Sequence, residues 1–503
     1  MRSLSWIALG LVLACAPLAA AEKASLATAA ATIKSVEAKH HVDTLADDQF
    51  EGRESGSRGG RAAAGYIVSE LQKLDLKPLG DDKTFYQSYA GGRNILALVE
   101  GSDPELKKQY VVVGAHYDHV GYGNRTNSYG PFGFVHNGAD DNASGVSGLL
   151  EVVQAVTSLP ERPKRSILFA FWDGEEKGLL GSQHWVSRPT VPLKSVALYV
   201  NLDMIGRLRK SRVEVYGTRT SYSLRELVSR ANEETNLVLD FTWEMKENSD
   251  HYTFYQQNIP AMMFHTGLHD NYHRPSDDTH LINNDGIEQV SRLVFNFLVD
   301  IADSDRTFRF RQQSRSEDPA GKRAFEQPLA SPGPRFGLEW RDGKEGEKGV
   351  VVVKVTPGLP AAKAGLKPGD RIVKFNGQEV TSELPLRMAV LAAVSPVELE
   401  ILRGDMPEPT KLLVHLLGSP TRLGIAWRDD SAEPGSVMLT QVVPGSAAYV
   451  AGLKERDRIC EVGGKRFNGS KEFHELATTL PSPLEVQVER AGKLYKLTLE
   501  LPK

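Results

Sequence analysis

The last third of the chain is written twice. Arg335-Phe336-Gly337-Leu338-Glu339-Trp340-Arg341-Asp342 returns 87 positions later as Arg422-Leu423-Gly424-Ile425-Ala426-Trp427-Arg428-Asp429. Ala364-Gly365-Leu366-Lys367 and Ala451-Gly452-Leu453-Lys454 keep that offset, as do Asp370-Arg371-Ile372 and Asp457-Arg458-Ile459. A register held over so many positions is a tandem duplication, and its period is too long for a solenoid unit. The C-terminal part must therefore fold as two small, independent modules. Each copy runs from a Gly-apolar pair into a strand and passes a Pro-Gly turn and Ala-Gly-Leu. It then takes a second turn with Asp and reaches a strand ending near Asn376-Gly377 or Gly463-Gly464.

From about Ala24 to Asp303 the grammar differs. Tyr110 to Gly114, Ser166 to Phe171 and Ala197 to Leu202 are buried-strand runs. Gly65 to Leu74, Ser147 to Val156 and Gly286 to Ile301 carry apolar residues at helical spacing. Strands alternating with helices specify an α/β domain. Asp303 to Pro334 is rich in charge, Ser, Pro and Gly and reads as an exposed linker. The expected division is a signal over 1–21, an α/β domain over 24–303, a linker over 304–334, and modules over 335–418 and 419–503.

The N-terminus carries an export pattern. Arg2 precedes the apolar run Leu4 to Leu13, Ala19-Ala20-Ala21 offers a small-residue cleavage site, and Glu22 begins polar sequence. The expected location is periplasmic or extracellular. Val12-Leu13-Ala14-Cys15 resembles a weak lipobox, and the alternative is a membrane-attached lipoprotein with lipid on Cys15. No later stretch is long and apolar enough for a transmembrane helix. Lys+Arg 60 against Asp+Glu 64 gives a net charge of -4, so no global basic field points to a nucleic-acid partner. Two cysteines, Cys15 and Cys460, exclude a disulfide scaffold and leave the α/β block without a thiol nucleophile.

Five fragments in that block carry the chemistry. Gly114-Ala115-His116-Tyr117-Asp118, Asp173-Gly174-Glu175-Glu176 and Asn201-Leu202-Asp203 each follow a strand. Gly138-Ala139-Asp140-Asp141-Asn142 opens a helix, and Asn271-Tyr272-His273-Arg274-Pro275-Ser276-Asp277 lies further on. Ligand sites of open α/β sheets form beyond the carboxyl ends of strands. Phosphate-cradling glycine fingerprints are missing, so nucleotide chemistry lacks its hardware. Converging carboxylates repel one another and drive their own pKa values up. Divalent cations cancel that cost, and imidazole with carboxylate suits zinc or a similar ion.

These fragments, with Leu45 to Arg53 and Ser249-Asp250-His251-Tyr252, closely resemble the M28 family of zinc aminopeptidases over roughly 42–302. The resemblance implies an α/β/α sandwich with a mixed, mostly parallel sheet, the zinc exopeptidase fold. It also implies two Zn2+ ions per chain, with Co2+ or Mn2+ as substitutes. His116 and Asp203 would take one ion, Glu176 and His273 the other, and Asp141 would bridge them. Asp118 would orient His116, Glu175 would be the general base acting on a metal-bridging water, and Tyr272 would stabilise the oxyanion. The expected activity is removal of N-terminal residues from peptides or proteins. The alternatives are a dipeptidase, carboxypeptidase or amidohydrolase of the same fold, or an inactive peptidase scaffold. The duplicated modules resemble bacterial PDZ domains, which implies peptide C-termini as partners at loops around Phe336-Gly337-Leu338 and Leu423-Gly424-Ile425. Docking to a partner or bracing the peptidase are further uses open to such modules.

Overall fold

The computed structural model describes residues 25–330, 332–404, 406 and 408–502. The expected signal segment and the Cys15 lipobox lie outside the described residues. The chain divides into two compact units, the first running to Pro319 and including Ala491–Lys493, the second built from the rest.

In chain order the first unit contains α1 (Ser35–Leu45), α2 (Arg58–Lys73), β1 (Lys77–Pro78), β2 (Tyr86–Tyr89), β3 (Gly92–Val99) and β4 (Tyr110–His116). α3 (Gly145–Thr157), β5 (Ser166–Trp172), α4 (Leu180–Ser187) and β6 (Val196–Leu202) follow. β7 (Arg212–Tyr216), α5 (Leu224–Ala231), β8 (Val238–Phe241), α6 (His251–Gln256), β9 (Ala261–His265) and α7 (Asn284–Asp303) complete it. The sheet order is β1-β3-β5-β4-β6-β9-β7-β8, with β2 paired to β3. The centre, β5-β4-β6-β9, is parallel. β3 joins β5, and β7 joins β9, in antiparallel fashion. The sheet is thus mixed, with its parallel strands in the middle.

Side chains alternate across this sheet with the period of two that strand geometry imposes. Val111, Val113, Ala115, Ile167, Phe169, Phe171, Leu198 and Val200 enter one core, with Val42, Ile67, Val153 and Leu293 from the helices. Val112, Leu168, Ala170, Trp172 and Tyr199 enter the other, with Trp185 and Phe254. Helices therefore cover both faces, which explains why the central strands read as continuous apolar runs. The second core also holds a polar chain. Trp172 Nε1 donates to the Tyr199 hydroxyl at 2.8 Å, that hydroxyl donates to Asn201 at 2.6 Å, and Asn201 Nδ2 donates to Ser249 at 2.7 Å.

The segment expected as an exposed linker carries regular structure. It contains a 3-10 turn over Gln312–Ser316 and a helix over Pro319–Phe325. Arg311 is buried and pairs with Glu317, which also receives a bidentate pair from Arg219. Burial alone would raise the Glu317 pKa, yet hydrogen bonds from Arg311 and Arg219 pull it down to about 2. The polar composition that suggested a linker is here the material of an ion-pair network.

The second unit holds two antiparallel sheets. β10 (Leu338–Asp342), β11 (Val350–Val355), β12 (Arg371–Phe375), β13 (Gln378–Glu379), β14 (Val397–Leu402) and β15 (Thr410–Val414) form one. β16 (Ile425–Asp429), β17 (Val437–Val442), β18 (Arg458–Val462), β19 (Leu484–Arg490) and β20 (Lys493–Leu499) form the other. The repeated residues do the same work in each copy. Asp370 receives the Lys367 amide and a bidentate pair from Arg403, and Asp457 receives the Lys454 amide and the matching pair from Arg490.

One buried carboxylate in the first unit ties stability to pH. Glu151, inside α3, accepts the Lys34 amide at 2.8 Å and so caps the start of α1. Burial pushes its pKa up to about 7 despite that hydrogen bond. A carboxyl raised in the fold gives stability that is complete below its unfolded value and is lost as pH rises through 7. Glu151→Gln keeps an acceptor for Lys34 and should melt with the wild type at pH 4. At pH 8 it should be more stable by about 1–3 kcal/mol in chemical denaturation.

Candidate metal centre

The sheet brings the five fragments to one edge. His116 ends β4, Asp203 follows β6 by one residue, and Glu175 and Glu176 lie three and four residues past β5. Because these strands are parallel, their carboxyl ends share one side of the sheet. Asp141 sits in the turn Ala139–Ser144 just ahead of α3, where its own backbone leaves the helical region (φ -106, ψ 94). Gly138 before it has φ 55, and a Cβ there would meet the Asp141 carbonyl at 2.2 Å and the His119 ring at 2.5 Å. His273 comes from the long connection after β9 and itself has φ 51.

Two groups of donor atoms result, and Asp141 belongs to both. One comprises His116, Asp141 and Asp203, the other His119, Asp141, Glu176 and His273. Asp141 Oδ1 lies 3.4 Å from His116 Nε2, which is 3.6 Å from Asp203 Oδ1. Asp141 Oδ2 lies 3.0 Å from His273 Nε2, which is 3.1 Å from Glu176 Oε2. His273 Nε2 makes no aligned hydrogen bond to either oxygen. Nitrogen and oxygen donors this close but unaligned are aimed at a common point, as ligands of one ion are. The residues present therefore fit divalent cations.

His119, three residues after His116, joins the second group through Nδ1, 2.8 Å from Glu176 Oε1. His119 is not among the residues expected from the sequence, although it stands in the run His116-Tyr117-Asp118-His119. Asp118 puts its carboxylate 3.7 Å from His116 Nδ1, and its backbone carbonyl stands nearer, at 3.2 Å. The same carboxylate accepts the Glu175 amide at 3.0 Å, fixing the loop that carries Glu175 and Glu176. Tyr272 stacks on the His273 ring with centroids 3.9 Å apart. Burial, reinforced by Asp141, Glu176, Glu175 and Asp203, raises its hydroxyl pKa. Asn142 braces the site, accepting from the Gly145 and Met204 amides. His251 is fully buried, and burial lowers its pKa to about 4.

The charges are strongly coupled. Burial opposes protonation of His116, but Glu175 and hydrogen bonds with Asp118, Asp141 and Asp203 hold its pKa well above the ordinary value. Burial likewise disfavours the Asp141 carboxylate, yet His116 and His273 hold its pKa well below the usual range. Glu175 behaves oppositely. Burial raises its pKa, and Glu176, Asp250 and Asp203 add to the rise against His116. A carboxyl inclined to take up a proton thus stands beside carboxylates that demand positive charge.

Arg53 supplies fixed positive charge beneath the site. Its side chain is fully buried and donates to the carbonyls of Tyr117, Leu45, Asn137 and Gly138 at 2.6–3.0 Å. Burial lowers its pKa to about 10, against the raising effect of Asp141, Asp118, Asp277 and Glu176. One guanidinium therefore clamps the His116–Asp118 segment to the turn that precedes Asp141. Asp277 completes the clamp, accepting the Asp140 and Asp141 amides at 2.9 and 3.0 Å.

Residues 94–298 match the Peptidase family M28 model, and residues 334–414 and 413–489 match PDZ domain models. The chain thus combines an M28 peptidase domain with two PDZ domains. It is 30% identical to leupeptin-inactivating enzyme 1 of Streptomyces exfoliatus over 33% of this chain and 34% of that protein. Leucine aminopeptidase 2 of Trichophyton rubrum is 26% identical over 56% of each chain. A probable periplasmic serine endoprotease DegP-like of Hahella chejuensis is 31% identical over 31% of this chain and 38% of that one. The chain spans about a third of the length of the first curated relatives it matches. The solved structure of Legionella pneumophila LapA aminopeptidase aligns with a TM-score of 0.45 and 19% identity, over 56% of this chain and 75% of that one.

Arg53→Met takes the guanidinium away from four carbonyls, of which the Gly138 oxygen keeps the Ala143 amide. It should cost about 3–5 kcal/mol in guanidinium denaturation. Added zinc should recover part of the loss if the clamped segments carry ligands.

Proposed function

We propose that this chain is an exported metallo-aminopeptidase that binds two zinc ions and releases N-terminal residues from peptides or proteins. The observation that carries this reading is Asp141, whose two carboxylate oxygens face two separate donor groups. His116 and Asp203 would hold one ion, Glu176 and His273 the other, and Asp141 both. Export is supported by the N-terminal pattern and by the periplasmic name of relatives that match in part. Among the described residues no helix is long and apolar enough to cross a membrane.

When bound, such ions polarise a carbonyl and acidify water. The chain's own residues do the rest. Glu175, anchored through its amide by Asp118, takes a proton from the attacking water and passes it to the leaving amine. Tyr272, held by stacking on His273, offers its hydroxyl to the developing oxyanion. His119 steadies Glu176 through the 2.8 Å contact. The PDZ domains would bring peptide C-termini to the enzyme.

Glu175→Gln should lower kcat on aminoacyl-anilides by about 10²–10⁴-fold, with zinc still near two per chain by elemental analysis. Turnover surviving that substitution removes Glu175 as the base, and loss of zinc makes it a ligand instead. Tyr272→Phe should reduce kcat roughly tenfold or more with KM little changed, checked by steady-state kinetics on the same substrate.

A further inference from the structure

The two PDZ copies share a sequence pattern but differ at the atom that would meet a ligand. In the second copy the Gly424 amide donates to Thr421 Oγ1 at 2.9 Å. The position equivalent to Thr421 in the first copy is Pro334, which has no hydroxyl. Among the described residues, nothing accepts a hydrogen bond from the Gly337 amide, the counterpart of Gly424. Gly337 also has φ 81, and its loop opens into a cavity of about 830 Å³.

That cavity has the parts a peptide end requires. β10 lies at the margin of its sheet, so its outer backbone groups are available to an added strand. Phe336, Leu338, Leu359, Val390 and Leu391 supply apolar wall. Arg335 adds positive charge that no carboxylate neutralises among the described residues, since its guanidinium donates to the carbonyls of Leu417, Val390, Leu391 and Ala393. An unspent amide and an unpaired cation complement an anion. The second copy contributes Ile425, Gln441, Val443 and Pro444 to the same cavity, so its residues serve as a wall of the first copy's groove.

We infer that the first PDZ copy alone is the receptor for a peptide ending in a free carboxylate and an apolar residue, while the second, its loop amide already capped, completes the groove. This rests on the reading that the PDZ domains take peptide C-termini, and the two can fail separately. The test is fluorescence anisotropy on the full chain with a fluorescein-labelled, N-acetylated alanine-serine peptide ending in leucine, which the blocked N-terminus protects from trimming. The expected result is saturable binding at one peptide per chain, weakened about tenfold or more when the C-terminus is amidated. Pro334→Thr, which restores the cap, and Leu391→Asp, which puts a carboxylate in the wall, should each weaken binding by a similar factor. Thr478→Asp, the matched charge on the exposed equivalent of Leu391, should leave it unchanged. Unaltered melting temperatures establish that each variant is folded, and either first-copy variant suffices if the other is not. Loss with Thr478→Asp but not with Leu391→Asp overturns the assignment while keeping peptide capture. Equal binding of acid and amide assigns the groove to internal segments and overturns the carboxylate. No binding of either peptide overturns both the assignment and the reading beneath it.

Discussion

The first unit is organised around a conflict between burial and charge. Asp141, Asp203, Glu176 and Asp118 converge where little water reaches, and carboxylates so placed repel each other and resist ionisation. Only nearby positive charge makes the arrangement tolerable. Two kinds are built in. Arg53 is permanent and lies below, tied to four carbonyls, whereas the imidazoles of His116, His119 and His273 interleave with the carboxylates. The same geometry that relieves the repulsion leaves donor atoms pointed at shared positions. A stability problem and a catalytic opportunity are here one arrangement.

The scaffold explains how a precise arrangement survives on loops. His116, Glu175, Glu176 and Asp203 lie at or just past the ends of strands buried on both faces, so their roots cannot shift, whereas Asp141 and His273 come from longer connections. The loops are then cross-tied by backbone bonds to buried side chains. Asp118 holds the Glu175 amide, Asp277 holds the amides of Asp140 and Asp141, and Asn142 holds Gly145 and Met204. None of these bonds joins two of the proposed ligands. They are supports that fix where the ligands begin, which is how donor groups are kept in register before an ion arrives.

The PDZ pair follows another economy. Duplication copied the Arg335 and Arg422 anchors and the Asp370–Arg403 and Asp457–Arg490 pairs, which hold each module's shape. It did not preserve the residue three before the loop glycine. Substitution at that one place, proline against threonine, alters which amide is spent internally and which is left over. Structural residues kept in both copies thus mark the module, and divergent ones mark its use.

Much of this was legible in the chain. Apolar runs of β4, β5 and β6, the helical spacing of α2, α3 and α7, and the 87-residue repeat are local patterns. A sequence displays them because strand and helix periods are properties of the backbone. The clustered donor residues were legible too, since turn glycines and acidic residues sit directly after the strands. His119, Arg53 and Asp277 were not, because their importance lies in partners 57, 85 and 136 positions away. The ordered stretch around Arg311 escaped for the same reason, its charged composition being that of a linker until Arg219 and Glu317 are placed beside it. Sequence determined the elements and the inventory of chemical groups, as both depend on neighbours along the chain. Tertiary structure alone decided which carboxylates share a histidine and which loop amide stays unspent, because those are facts of distance between segments that the chain order keeps apart.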